Sequence, residues 1–280
     1  MNIVYGSELS LEIKEKLKAE VATFNDRKPC LSVILVGDNP ASVSYVRGKN
    51  KACTEIGIDC KQIDLPATTS EADLIKLIKE LNEDNTVDGI LVQLPLPEGL
   101  NEKKILENIS PLKDVDGLHP YNAGKLLLGE DGFYPCTPLG IMELLKKMQV
   151  NLEGKNVVVV GRSNLVGLPV ARLLTKANAT VTITHSRTKD LPSICKQADV
   201  LVVAIGKAKF ITKEYVKDGA YVIDVGVNRV DGKLCGDVDF ESVKDICSAI
   251  TPVPKGVGPM TITMLLSNTI KSYKQRENIK

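Results

Sequence analysis

The chain has 280 residues, enough for two modest domains, and its 43% hydrophobic and 25% charged content is ordinary for a folded soluble protein. Its 36 basic and 35 acidic residues leave a net charge of +1, which argues against a nucleic-acid or membrane-surface binder, and its seven cysteines contain no C-x-x-C pair. The cysteines therefore read as reduced thiols, not as a disulfide frame or zinc site, and no metal is expected.

The opening segment "MNIVYGSELSLEIKEKLKAEV" lacks an apolar stretch behind a basic start, so no signal peptide is expected and the protein is read as cytoplasmic. Apolar runs such as "VVVV" are far too short to span a bilayer. "LSVILVG" is a β-branched run ending in glycine, the pattern of a buried parallel strand. A helix is predicted from about Ala41 to Gly57, with Gly57 as its C-cap. It carries Tyr45 and Lys49 four residues apart, on one face. Such a pair is ordinarily packed or solvated helix surface. With only two histidines in the chain, however, proton transfer has to lean on Lys, Asp or Tyr.

"IDCKQIDL" reads as a second strand. Ser70 and Asp73 then form a capping pair before "SEADLIKLIKEL", whose Leu74, Ile75, Leu77, Ile78 and Leu81 make one apolar face. "VDGILVQLPLP" is a third strand, stopping at Pro95. In "CTPLGIMELLKKM", Thr137 is the expected N-cap and Pro138 the first helical residue. "ADVLVVAIG", "GAYVIDVGVN" and "CSAITPVP" supply later strands, and a last helix is expected after "GVGPM". Alternating strands and helices imply parallel sheets covered by helices.

"VVVVGRSNLVGLPVARLL" joins a strand to a helix through a glycine turn. Gly161 suits a tight turn, Gly167 suits close helix packing, and the helix N-terminus suits a phosphate. The spacing is G-x-S-x-x-x-G and not G-x-G-x-x-G, which is equally compatible with a plain turn. The next strand ends in "TITHSRT", without the acidic residue that accepts from a ribose 2′-hydroxyl. Arg162, Ser163, Ser186 and Arg187 instead suit a 2′-phosphate, pointing to NADP, although arginines at such positions are mostly solvated surface.

Taken with "GRSNLVGLPV", the segments "YVRGKNKA", "DGILVQLPLP", "KDVDGLHPYNAG" and "PVPKGVGPMT" occur in order along nearly the whole chain. Together they resemble the bifunctional methylenetetrahydrofolate dehydrogenase/methenyltetrahydrofolate cyclohydrolase (FolD-type) family. The resemblance implies an α/β fold of two domains with a cleft between them. Residues 1–138 with 258–280 would form the folate-binding catalytic domain, and 139–257 a Rossmann-type NADP domain with a parallel sheet. It implies a homodimer acting on tetrahydrofolate derivatives in one-carbon metabolism and purine biosynthesis, with no nucleic-acid or membrane partner. By the same resemblance, Lys49 is the general acid/base, Gln93 tunes it, Tyr45 stacks on the substrate and Asp116 orients the pterin ring. Gly258 and Pro259 approach substrate, and Ile205 and Val227 join Gly161, Arg162, Ser163, Gly167, Ser186 and Arg187 around NADP. Asp114 is expected to be structural. The chain departs from the family at Lys255 and Ala208, where a glycine and a proline are usual. Alternatives are a dehydrogenase without cyclohydrolase activity, another two-domain NADP reductase of shikimate dehydrogenase type, or a binding protein without catalysis.

Overall fold

The structure, a computed structural model, describes residues 2–279. In chain order the elements are β1 (Asn2–Ile3), α1 (Gly6–Val21), β2 (Cys30–Val36), α2 (Pro40–Ile56), β3 (Asp59–Leu65), α3 (Glu71–Glu83), β4 (Gly89–Val92), α4 (Glu102–Leu106), α5 (Pro120–Leu128) and α6 (Cys136–Lys147). There follow β5 (Asn156–Val160), α7 (Gly167–Lys176), β6 (Thr180–Thr184), α8 (Leu191–Cys195), β7 (Val200–Val203), β8 (Tyr221–Asp224), β9 (Asn228–Val230), β10 (Lys233–Cys235), α9 (Phe240–Val243), β11 (Ala249–Ile250) and α10 (Val257–Arg276). The chain divides into two compact units: Glu12–Cys136 with residues from Ile262 onward, and residues up to Leu11 with Thr137–Thr261.

The first unit is built on a parallel sheet in the order β3-β2-β4. All seven residues of β2 are buried, as expected for a central strand covered on both faces. Helix α2 starts on Pro40, where a missing N–H costs nothing, and the Asn39 side chain accepts from the N–H groups of Ala41 and Ser42. Gly57 ends it in the left-handed region (φ 84°), as its C-cap reading requires. Ser70 caps α3 by accepting from Asp73 N. Leu74, Ile78 and Leu81 enter a core with Ile34, Val36, Ile90 and Val92, while Ile75 and Leu77 stay half-buried at its margin.

The end of α10 is tied to this unit by a buried charge. The Asp88 carboxylate, fully enclosed, receives both Arg27 guanidinium nitrogens at 2.7 Å, Arg276 Nη1 at 2.9 Å and Cys30 N at 2.9 Å. Arg27 lies 4.7 Å over the Tyr273 ring, and the Tyr273 hydroxyl donates to the Arg27 carbonyl.

The second unit carries a six-stranded sheet, order β1-β11-β8-β7-β5-β6, whose neighbouring pairs are all parallel. A separate hairpin, β9–β10, turns on Asp231 and Gly232, both with positive φ.

Four sequence expectations need correction. The first residues do not group with the first unit: β1 pairs with β11 in the six-stranded sheet. Strand "CSAITPVP" shrinks to Ala249–Ile250. Helix α6 begins at Cys136, so Thr137 is not its N-cap and Pro138 is not its first residue; the Thr137 hydroxyl pairs with that of Thr261 at 2.9 Å instead of capping. Helix α10 begins at Val257, which places Gly258 and Pro259 inside its first turn.

Lys255, just before α10, has φ 78°, a conformation that a side chain with Cβ disfavours. Replacing it with glycine is expected to raise thermal stability by about 1 kcal/mol. An unchanged or lower melting temperature would show that the lysine side chain offsets this strain.

Candidate active site

In the first unit, α2 presents Tyr45 and Lys49 one turn apart, yet their environments differ. The Tyr45 ring is 46% exposed, whereas Lys49 retains 8%. Lys49 Nζ donates to Gln93 Oε1 at 2.8 Å. Gln93 follows β4, held by its N–H to the Ile34 carbonyl, and its amide N–H donates to the Leu94 carbonyl at 2.6 Å. That second bond turns the amide oxygen towards the lysine. Burial pushes the Lys49 pKa below its ordinary value, and the negative charge of Asp116 opposes the shift.

Asp116 is half-buried on the loop between α4 and α5. The loop's shape comes from its neighbour Asp114, which accepts from Leu118 N, His119 N and Asn122 Nδ2 at 3.1, 2.9 and 2.8 Å. Burial raises the Asp114 carboxyl to about 6, with those hydrogen bonds pulling the other way. Gly117 has φ 71°, and a Cβ there would lie 2.4 Å from the Tyr134 carbonyl carbon, so only glycine fits after Asp116. The Cys136 thiol is buried beneath this loop and donates to the Val115 carbonyl. Burial and the Asp116 charge push its pKa well up, so it stays a thiol. The sequence reading missed Cys136, since nothing in "YPCTP" signals a neighbour of Asp116.

Tyr45, Asp116, Lys49 and Gln93 form one chemical set: an exposed aromatic ring, a carboxylate, and an amine whose pKa burial lowers and which donates to an amide oxygen. Such a set can hold a flat heteroaromatic donor and pass a proton to or from water.

In the second unit, Gly161 ends β5 with φ 125°, and a Cβ there would sit 2.3 Å from the Ala204 carbonyl oxygen. Gly167 opens α7 under an equally tight constraint, since a Cβ on it would fall 2.3 Å from the Gly161 oxygen. The Ser163 hydroxyl accepts from Val166 N and Gly167 N, so it shapes the turn from within. Gly161 N donates to the Thr184 carbonyl, which sets the Gly161 turn beside the loop after β6. Arg162, Ser186 and Arg187 are exposed on these two loops, and Arg187 N donates to His185 Nδ1. Ile205 follows β7 and Val227 follows β8, so all eight expected cofactor residues lie at the carboxyl ends of strands β5 to β8. The order places β6 on one side of β5 and β7 on the other, the topological switch point where open α/β sheets take ligands. Gly161 and Gly167, packed too closely against backbone to carry a Cβ, and the α7 N-terminus that Gly167 opens have the form of a dinucleotide-binding turn. Gly258 and Pro259 belong to this unit too, and a Cβ at Gly258 would meet open space. Among the described residues, no group of three or more His, Cys, Asp or Glu side chains could hold a metal ion, and no helix is long and apolar enough to cross a membrane.

One unit with a buried amine–amide pair and another with a dinucleotide-type turn define an α/β enzyme of the dinucleotide-dependent class. Residues 4–116 match the family model for the catalytic domain of tetrahydrofolate dehydrogenase/cyclohydrolase, and residues 135–277 that for its NAD(P)-binding domain. The Bifunctional protein FolD of Halalkalibacterium halodurans is 57% identical over 272 residues, covering 96% of this chain and 98% of its own. The crystal structure of the bifunctional methylenetetrahydrofolate dehydrogenase/cyclohydrolase FolD from Campylobacter jejuni superposes with a TM-score of 0.97 at 51% identity, over 99% of both chains. The Trypanosoma brucei enzyme FolD, complexed with NADP cofactor and inhibitor, gives 0.93 at 39% identity, over 98% of this chain and 97% of its own. The chain belongs to the tetrahydrofolate dehydrogenase/cyclohydrolase family.

Proposed function

We propose that the protein oxidises 5,10-methylenetetrahydrofolate to the 5,10-methenyl cation with NADP and then hydrolyses that cation to 10-formyltetrahydrofolate. The observation that carries the second activity is the buried Lys49–Gln93 pair. Family membership, with relatives named as bifunctional, supports both activities together.

When bound, NADP supplies the hydride acceptor; Gly161, Gly167, Arg162, Ser163, Ser186, Arg187, Ile205 and Val227 would hold it. The arginines favour a 2′-phosphate, since no carboxylate stands at 161–166 or beside Ser186 and Arg187 at 185–188 to repel it. Tyr45 offers its exposed ring as a stacking surface, and Asp116 accepts from the pterin's amino and ring N–H groups, which fixes the substrate's orientation. Gly258 and Pro259 let backbone lie close to the substrate. Lys49 is the proton carrier: as neutral amine it takes a proton from the attacking water, and as ammonium it returns one to the departing folate nitrogen. Gln93 holds the amine in place through Oε1. Asp116 adds a negative charge that keeps the ammonium form reachable. The folate-binding catalytic domain is proposed as residues 12–136 with those from Ile262 onward, and the NADP domain as 137–261 with the segment up to Leu11. A homodimer in the cytoplasm is the assembly and location inferred from the family.

Turnover of methylenetetrahydrofolate with NADP and then with NAD tests the assignment, followed by the absorbance of the methenyl intermediate. Oxidation with NADP and decay of the intermediate faster than the spontaneous rate are expected. Accumulation without enzymatic decay would leave a dehydrogenase alone, and no oxidation with either nucleotide would end the reading.

A further inference from the structure

Directly after β7, the backbone N–H groups of Ile205, Gly206 and Lys207 converge on one carboxylate. Asp237 Oδ2 accepts from Ile205 N at 2.7 Å and Gly206 N at 2.9 Å; Oδ1 accepts from Lys207 N at 2.7 Å and Asn228 Nδ2 at 2.9 Å. Asp237 is fully buried. A second buried carboxylate anchors it from behind: Asp224, at the end of β8, accepts from Asp237 N at 2.9 Å and Val238 N at 3.0 Å. Burial raises the Asp224 carboxyl to about 7.

Two glycines make room for these acids. A Cβ at Gly226 would fall 2.1 Å from Asp237 Cγ, and one at Gly236 would fall 1.7 Å from Asp224 Oδ2. Neither glycine has a positive φ, so their requirement is space alone. Successive N–H groups in a turn form a concavity that attracts an anion, and in a dinucleotide fold a phosphate is the usual occupant. Here the occupant is a side chain of the protein itself. The loop concerned sits at the switch point: β7 adjoins β5, and the Ala204 carbonyl is the group that Gly161 approaches.

We propose that Asp237 is a positioning residue for the dinucleotide: it fills the N–H concavity after β7, fixes residues 204–207 beside the Gly161 turn, and leaves phosphate recognition to that turn. Asn228 extends the same anchor to the loop after β8, which carries Val227, so one carboxylate sets two of the loops that border the cofactor position. The inference rests on the NADP reading above.

Asp237→Asn keeps the size but presents an amide nitrogen to N–H donors; Asp237→Ala empties the concavity. Each is assayed for NADP KM in the dehydrogenase reaction and for hydrolysis of the methenyl compound, with and without added formate as a free carboxylate. The expected result is a rise in NADP KM of about tenfold or more in both variants, because a loop displaced by an ångström misplaces what it borders. Cyclohydrolase kcat should stay within about twofold, since no group of the Lys49 set moves, and formate should lower the KM of Asp237→Ala by at least about threefold while leaving wild type unaffected. An unchanged NADP KM in either variant, a KM that formate does not move, or parallel loss of both activities in both variants would overturn the proposal. Failure of the wild type to use or bind NADP would instead remove the cofactor reading itself.

Discussion

Substituting Lys49 with methionine is expected to lower hydrolysis of methenyltetrahydrofolate by about two to four orders of magnitude, the range general acid–base catalysis supplies. NADP binding, which belongs to the other unit, should remain. The same change should not weaken the fold by more than about 1 kcal/mol, because two effects oppose each other. Gln93 Oε1 loses its donor, which costs about 1–3 kcal/mol if it stays dry. Against that, the penalty for burying an ammonium disappears. The sign follows from linkage: the folded-state pKa of Lys49 is depressed from 10.5, so its contribution to stability is present above that pH and is lost as pH falls through the folded value. At neutral pH the lysine is therefore a cost that methionine removes. In wild type, the hydrolysis rate should rise with pH and level off below 10.5, as the neutral amine becomes populated. Hydrolysis by Lys49→Met at the wild-type rate, or a pH limb at the ordinary lysine value, would refute the role.

Asp88→Ala should be the most damaging single change to stability. It removes the carboxylate shared by Arg27 and Arg276 and leaves Cys30 N unpaired, while Arg27 keeps its ion pair with Glu277 at 2.6 Å, a loss of about 3 kcal/mol. Because the chain has no tryptophan, unfolding in urea is best followed by circular dichroism. The transition should move to lower urea, with dehydrogenase and cyclohydrolase turnover in the surviving folded fraction unaltered, since none of these residues touches the proposed site. A midpoint within experimental error of wild type would mean that solvent reaches the guanidinium groups and compensates them.

Much of the layout could be read from local pattern. Helix α2 announces itself through its Gly57 C-cap, and α3 through Ser70 and its apolar stripe. The Gly161–Gly167 turn is legible because both glycines answer to a local steric demand. What stayed hidden depends on contacts distant in sequence. "NIV" carries no strand pattern of its own, and β1 exists only because β11 offers it an edge. Thr137 looked like an N-cap because Thr-Pro usually is one, but the hydroxyl of Thr261 competes for it. Asp224 falls inside the expected strand "GAYVIDVGVN" and Asp237 in no expected element, and only the folded chain brings each to the N–H groups it accepts from. The environment of Lys49 was the largest gap. Spacing put it beside Tyr45, but Tyr45 is exposed while Lys49 is buried and bonded to Gln93, which arrives from the end of β4.

The pairing of β1 with β11 also bears on how the protein is made. Residues 2 and 3 leave the ribosome long before their partners at 249 and 250, and the other unit likewise waits for residues from Ile262 onward. Neither unit is therefore a continuous stretch of chain that can finish folding during synthesis. Nascent chains halted before Ala249 should hold the six-stranded sheet without β11 and the three-stranded sheet without the end of α10, leaving both units protease-sensitive until those residues are made.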